Sequence, residues 1–387
     1  MFKLSTDWRP EGGMSDEFFR KTFGDTEPVH LGSGWVSGVS AVFLGLLGLG
    51  AVLCLRFPAL LTLPEARAHY PMGVIRPLIQ GIIFAAFVLA AVSAVLRERK
   101  VLALTGAALA VAALALGGGG VPLPQEVATK TGIGLDWFVL DLFVMTIVFV
   151  PLERVWPLHP NQGTFRPEWT TDAFYFVATH LPSQLINFLM LLPAALAAPW
   201  LAIPQLQAYV RNWPFVLQLL AVILVADLSQ YAVHRMFHKV PILWRFHAVH
   251  HSIRTMDWIA GSRSHFFDIV VTRGLIMIPL ALCGFSQGAI IGYILFVSFH
   301  ATFSHLDFRP RTVWLENYLV TPRYHHWHHS AQEEAIDCNF AIHFPWIDRL
   351  FGTCHFPKDL WPKSYGLSGT SVRPGFFRQF IDPFMGR

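Results

Sequence analysis

The 387-residue chain is 53% hydrophobic and only 14% charged, with a mean hydropathy of +0.45 and a net charge of +4. Those proportions exclude an ordinary soluble globular domain and point to a polytopic membrane protein. The four cysteines, Cys54, Cys283, Cys338 and Cys354, have no paired spacing, which argues against a disulfide framework, an iron–sulfur cluster or a zinc-thiolate site.

Residues 1–34 are polar and mixed in charge, unlike a cleavable signal peptide. Eight apolar segments follow, at roughly 35–55, 77–96, 101–118, 136–152, 173–199, 214–233, 267–284 and 287–306. Each is near the length a helix needs to cross a bilayer. The third is rich in small residues. The fifth contains Pro182 and Pro193, so it reads as a broken helix or as two half-spans. With the connections numbered alternately, the side holding the N-terminus carries 23 of the chain's 29 lysines and arginines. The positive-inside bias makes that side cytoplasmic, with both termini there and a bacterial inner membrane as the expected location.

Composition also divides the chain. Before about residue 134 the only histidines are His30 and His69, in small-residue-rich sequence; sixteen more follow. The expected fold is an all-α membrane bundle of about eight spans. Residues 1–133 form an N-terminal extension of about three spans, and residues 134–387 a catalytic domain with a cytoplasmic, histidine-rich cap for two metals.

Thirteen histidines lie between residues 234 and 343, the tightest groups being 234-HRMFH-238, 247-HAVHH-251 and 325-HHWHH-329. On a helix, positions i, i+3 and i+4 share one face, so each pattern aims two or three ring nitrogens at one point. Convergent neutral imidazoles are what a transition metal binds. The candidate ligands are His234, His238, His247, His250, His251, His325, His328 and His329, joined by the single histidines His265 and His305. Enough nitrogens are present for two metals with four or five each. His300 is a weaker candidate. His326 is out of phase with its neighbours, and His159, His180 and His343 read as interfacial or capping residues.

Imidazole alone suits zinc, iron or copper. HRMFH places Arg235 where a zinc hydrolase would carry its glutamate base, and haem would take isolated axial histidines rather than triplets. A two-iron site that activates O2 fits best, with zinc as an adventitious occupant. The rival from another class is a histidine-rich metal transporter without redox chemistry.

The run Asp227, His234, His238, His247, His250, His251, Ser252, then His325, His328, His329, then Asn339, Asp348 and 349-RLFGT-353, resembles the fatty acid hydroxylase/sterol desaturase superfamily over roughly 220–355. The resemblance implies a non-haem diiron enzyme that uses O2 and two electrons to hydroxylate or desaturate a membrane lipid. Ornithine-lipid or other polar-lipid hydroxylases share the same motifs. It also implies the eight patterned histidines as iron ligands and His305 as a further family histidine. His265, in S-R-S-H-F-F-D, resembles a family R-x-H-P-x-E segment, with Phe266 in place of proline and Asp268 in place of glutamate.

A ligating imidazole commonly donates its second N–H to a carboxylate or carbonyl. Asp227 lies two helical turns before His234, and Asp337 and Asn339 follow the last triplet closely; Asp227 and Asn339 are therefore expected in supporting roles. Trp244, Phe246, Trp258, Phe266, Trp327 and Phe340 are candidates for an apolar channel or for an interfacial belt. The chain carries no cytochrome b5-like HPGG segment, cysteine quartet or GxGxxG. Electrons are thus expected from a separate ferredoxin or cytochrome/reductase, and no nucleic-acid partner is expected.

Overall fold

A computed structural model describes residues 32–386, apart from 64–66, 68, 123–131, 312 and 369–371. The polar N-terminal tail, with His30, lies outside the described residues. The described residues are mostly helical and form no β-strand beyond a single bridge between Ser330 and Tyr365. Eight of their helices are long and apolar enough to cross a membrane, as a multi-pass membrane protein requires. The chain divides into two compact units. One runs to Thr146 and includes His180–Gln184; the other comprises Ile147–Thr179 and Leu185–Arg387. This division falls within a helix, a little beyond the change in composition.

In the first unit, α1 (Trp35–Arg56), α2 (Met72–Leu96) and α3 (Val101–Ala115) pack closely on one another. Glycine makes the close approach possible. A Cβ at Gly106 would stand 2.7 Å from the Ala41 Cβ, and one at Gly45 would stand 2.8 Å from the Leu109 Cβ. Helices in lipid gain little from the hydrophobic effect, so intimate backbone contact through small residues supplies the attraction.

Helix α4 (Leu135–Val155) runs from the first unit into the second. The fifth apolar segment is two helices, α5 (Trp169–His180) and α6 (Ser183–Leu201), separated at Leu181–Pro182. Proline removes a backbone donor and drives the residue before it out of the α conformation. Of the two, α6 has the length and hydropathy of a span.

After α7 (Pro204–Arg211), the second unit is organised around α8 (Phe215–Lys239). Helix α8 packs against α10 (Phe266–Cys283) and α11 (Gln287–Ser304) through Val222, Ile223, Ala226, Ile276, Leu280 and Tyr293. Proline then sets the corners of the cap. Val240 is extended, and Pro241 opens α9 (Pro241–His251) immediately after α8 ends. Pro322 opens α12 (Pro322–His328) and Pro345 opens α13 (Pro345–Phe351) in the same way. A proline at the first helical position loses no hydrogen bond and arrives with a helical φ. One sharp corner thus folds the histidines at the end of α8 onto those of α9. The last helix is α14 (Phe376–Met385).

Candidate metal centre

The convergence of imidazoles begins with fixed loops. Asp227, buried on α8, accepts the backbone N–H groups of Ile342 (2.9 Å), His343 (3.2 Å) and Phe344 (2.7 Å). Asp348 accepts those of Phe340 (2.8 Å) and Ala341 (3.0 Å), and also the hydroxyls of Tyr324 and Thr353. Two carboxylates therefore pin the segment after the third histidine group. Asn339, left-handed at φ 59°, bonds His355 through both its amide oxygen and its amide nitrogen. Neither Asp227 nor Asn339 touches an imidazole in these contacts; both hold the backbone that frames the site.

Two groups of ring nitrogens result. His234, His238, His247, His251 and His328 form one, and His250, His305, His325 and His329 the other, with the nitrogens of each group within 4.8 Å of one another. Neighbours in sequence part company: His250 and His251 serve different groups, as do His328 and His329. Nine of the ten candidates assemble in this way.

The tenth, His265, stands outside both groups. Its Nδ1 accepts the Phe267 N–H at 3.0 Å, capping α10, and its Nε2 donates to the Phe380 carbonyl at 2.9 Å. His300 is also apart, bonded to His343 and to the Val320 carbonyl. His326 turns to the Tyr365 hydroxyl. His159 bonds Asp307, and His180 lies 3.7 Å from Asp141.

Hydrogen bonding fixes which nitrogen is bare in six of the nine rings. Carbonyl and carboxylate oxygens only accept, so an Nδ1 facing one carries the proton. His234 donates to the Phe340 carbonyl at 2.8 Å, His250 to Arg263 at 3.0 Å, His305 to Ala301 at 2.7 Å and His328 to Cys338 at 2.8 Å. His247 donates to Asp268 at 2.7 Å and His238 to Asp337 at 3.2 Å. The Nε2 atoms left over carry lone pairs directed inward. Those of His234 and His247 are 3.0 Å apart, and that of His305 lies 3.1 Å from the Nε2 of His325. The Nε2 atoms of His238, His251 and His328 are buried without a hydrogen-bond partner. Buried acceptors facing one another without a donor are costly unless a cation lies between them. This donor set fits metal ions.

Protonation cannot relieve the crowding near neutral pH. Burial and neighbouring imidazoles hold His250, His251, His325, His328 and His329 well below the usual histidine range. Burial brings His305 down to about 4.

Behind His250 lies an ionic brace that the sequence reading missed. Arg263, whose carbonyl accepts from His250, is fully buried and pairs with Asp172 and, at 3.1 Å, with Glu168. Arg166 clamps Asp257 through two contacts of 2.6 Å and Asp172 through a third of 2.6 Å. Burial alone would raise the Asp172 carboxyl, but the Arg263 and Arg166 guanidiniums outweigh it and hold it below the ordinary range. The available signal was weak: charged residues in mainly apolar sequence, with no histidine near Asp172. Asp268 was noticed as a departure from a pattern, not as the partner of His247.

The model of the fatty acid hydroxylase family matches residues 219–353, a stretch that holds all nine converging histidines. The chain is 28% identical to an ornithine lipid hydroxylase of Rhizobium tropici, over 66% of this chain and 78% of that one. It is 27% identical to cholesterol 25-hydroxylase of Mus musculus, over 60% and 75%. With alkylglycerol monooxygenase of Homo sapiens it shares 31% identity over 37% of this chain and 31% of the relative. This chain carries a fatty acid hydroxylase domain at residues 219–353. It is accordingly an oxygen-dependent oxidoreductase of the membrane lipid hydroxylase kind. Its brace residues Arg166 and Asp172 precede the matched stretch. No solved structure matches the chain.

Proposed function

We propose that this protein is a non-haem diiron enzyme that hydroxylates a C–H bond of a polar membrane lipid. The observation that carries the reading is the pair of inward-facing imidazole sets, five and four nitrogens strong, with the tautomers of six rings fixed from behind. The five-histidine set would hold one iron and the four-histidine set the other. Two irons there would supply the oxidising power for O2 to insert into an unactivated C–H bond.

The chain's own residues do the positioning. Asp268 and Asp337 orient His247 and His238, and carboxylates raise the basicity of the rings they support. Arg263 orients His250 through its carbonyl. Asp227, Asp348 and Asn339 keep the third histidine group in register with the other two. In this proposal His265 caps α10 and is not a ligand, while Asp227 and Asn339 frame the site without contacting substrate.

An ornithine-lipid or similar polar-lipid substrate is favoured because the relative of that name is covered over most of its length. The excess of basic residues on the histidine-bearing side supports a cytoplasmic site in a bacterial inner membrane. Electrons would arrive there from a separate ferredoxin or cytochrome/reductase.

The test is expression in a host lacking the chain, with isotopically labelled O2 and whole-lipid mass spectrometry. A lipid that gains one labelled oxygen atom supports the proposal. Metal uptake into vesicles with no oxidised lipid would favour the transporter reading instead.

A further inference from the structure

Helix α14 is amphipathic the wrong way round for a helix in water. Its protein-facing side includes Gln379 and Asp382, only 1% and 6% exposed, with Asp382 paired to Arg373. Its outer side presents Phe377 at 70%, Ile381 at 47% and Phe384 at 62% exposure. A surface helix of a soluble domain buries its apolar stripe and exposes its polar one. Polar groups packed inward with aromatic groups outward imply an apolar medium on that side.

The level of α14 is fixed by a span. His265 caps the start of α10 through Nδ1 and donates from Nε2 to the carbonyl of Phe380, in the middle of α14. The Phe384 ring lies 5.4 Å from the His265 ring and 6.5 Å from Phe267 in the first turn of α10. It also lies 5.0 Å from Phe246, the residue before His247. The outer face of α14 thus continues the apolar surface of α10 at the point where that helix leaves the membrane core. At ten residues the helix is about 15 Å long, half of what a crossing needs.

We propose that α14 lies in the plane of the membrane, with Phe377, Ile381 and Phe384 in the headgroup–acyl boundary of the leaflet beside the metal centre. The exposed Arg378 adjoins this face and suits lipid phosphates. The inference rests on the chain being embedded in a membrane, not on which lipid is oxidised, and its test reads no oxidation product.

The test uses the full chain, its native cysteines replaced, in nanodiscs of phosphatidylcholine and phosphatidylglycerol. Phe377→Cys and Ile381→Cys each carry an environment-sensitive fluorophore, and Lys358→Cys serves as the control. Nitroxide groups near the ester end of the acyl chains should quench the first two by roughly twofold or more, as burial at the boundary requires, and leave the control unchanged. Quenching at those positions by aqueous iodide but not by lipid nitroxide would overturn the proposal. Crosslinking between two chains without lipid quenching would assign the face to a second copy and overturn it equally. Hydroxyl-radical footprinting of the unsubstituted chain removes any dependence on the folding of the cysteine variants. Phe377 and Phe384 should be protected in nanodiscs, and modification typical of freely exposed rings would contradict the assignment.

Discussion

The Nε2 atoms of His234 and His247 face each other at 3.0 Å, while the Nδ1 of each ring is committed to an oxygen acceptor, the Phe340 carbonyl for one and the Asp268 carboxylate for the other. Two lone pairs so placed are held apart only by the rigidity of their supports. Loss of the Asp268 charge should therefore loosen the five-histidine group first. Asp268→Asn should lower metal affinity by about 10- to 100-fold at one of two positions, the range typical for supporting carboxylates. Metal titration of the apoprotein would resolve one weakened and one unchanged binding event.

Adjacent histidines should behave as members of different sites. His328→Ala should remove metal from the five-histidine group and His329→Ala from the four-histidine group. Each variant should retain about one metal of two, with distinct cobalt(II) absorption spectra. Identical spectra from the two variants would contradict the division.

The brace behind His250 carries a separate prediction. Asp172→Asn leaves two buried guanidiniums short of a carboxylate, a change that costs about 3–5 kcal/mol when an interior pair is broken. Thermal unfolding should shift down accordingly. Arg263→Lys, which keeps charge but loses the planar fork, should not rescue stability.

Much of this was readable in the sequence because spacing on a helix is local. The HxxxH and HxxHH patterns fix a common face within each element, and the proline after Val240 marks the corner that brings two of them together. The eight apolar segments follow from composition alone, although Pro182 turned the fifth into two helices. Partners far apart in the chain were not readable. Asp227 shares a helix with His234, which suggested a bond to that ring; its carboxylate instead collects N–H groups from Ile342, His343 and Phe344. The His265 pattern likewise pointed to a ligand, but α14 supplies a carbonyl for its Nε2 and the α10 terminus occupies its Nδ1.

His265 should consequently be replaceable without loss of metal. His265→Asn puts a side-chain oxygen in place of the capping Nδ1, whereas His265→Ala leaves the cap without an acceptor and should cost about 1 kcal/mol. Both variants should keep the wild-type metal content by elemental analysis; loss of one metal in both would make His265 a ligand after all.

The depressed histidine values set a pH window. A base that stays neutral when folded binds fewer protons than its unfolded counterpart between the two pKa values, so stability falls as pH is lowered through that interval. For His305 the interval runs from an unfolded value near 6.5 to a folded value of about 4. The metal-free protein should lose stability progressively below about pH 6.5. Denaturant midpoints across that range should decline, more steeply in the wild type than in His305→Gln.

Anomalous diffraction at the iron edge tests the central claim most directly. The account predicts two peaks, one enclosed by His234, His238, His247, His251 and His328 and the other by His250, His305, His325 and His329. No peak at either position, or a single peak elsewhere such as beside His300 and His343, would contradict it.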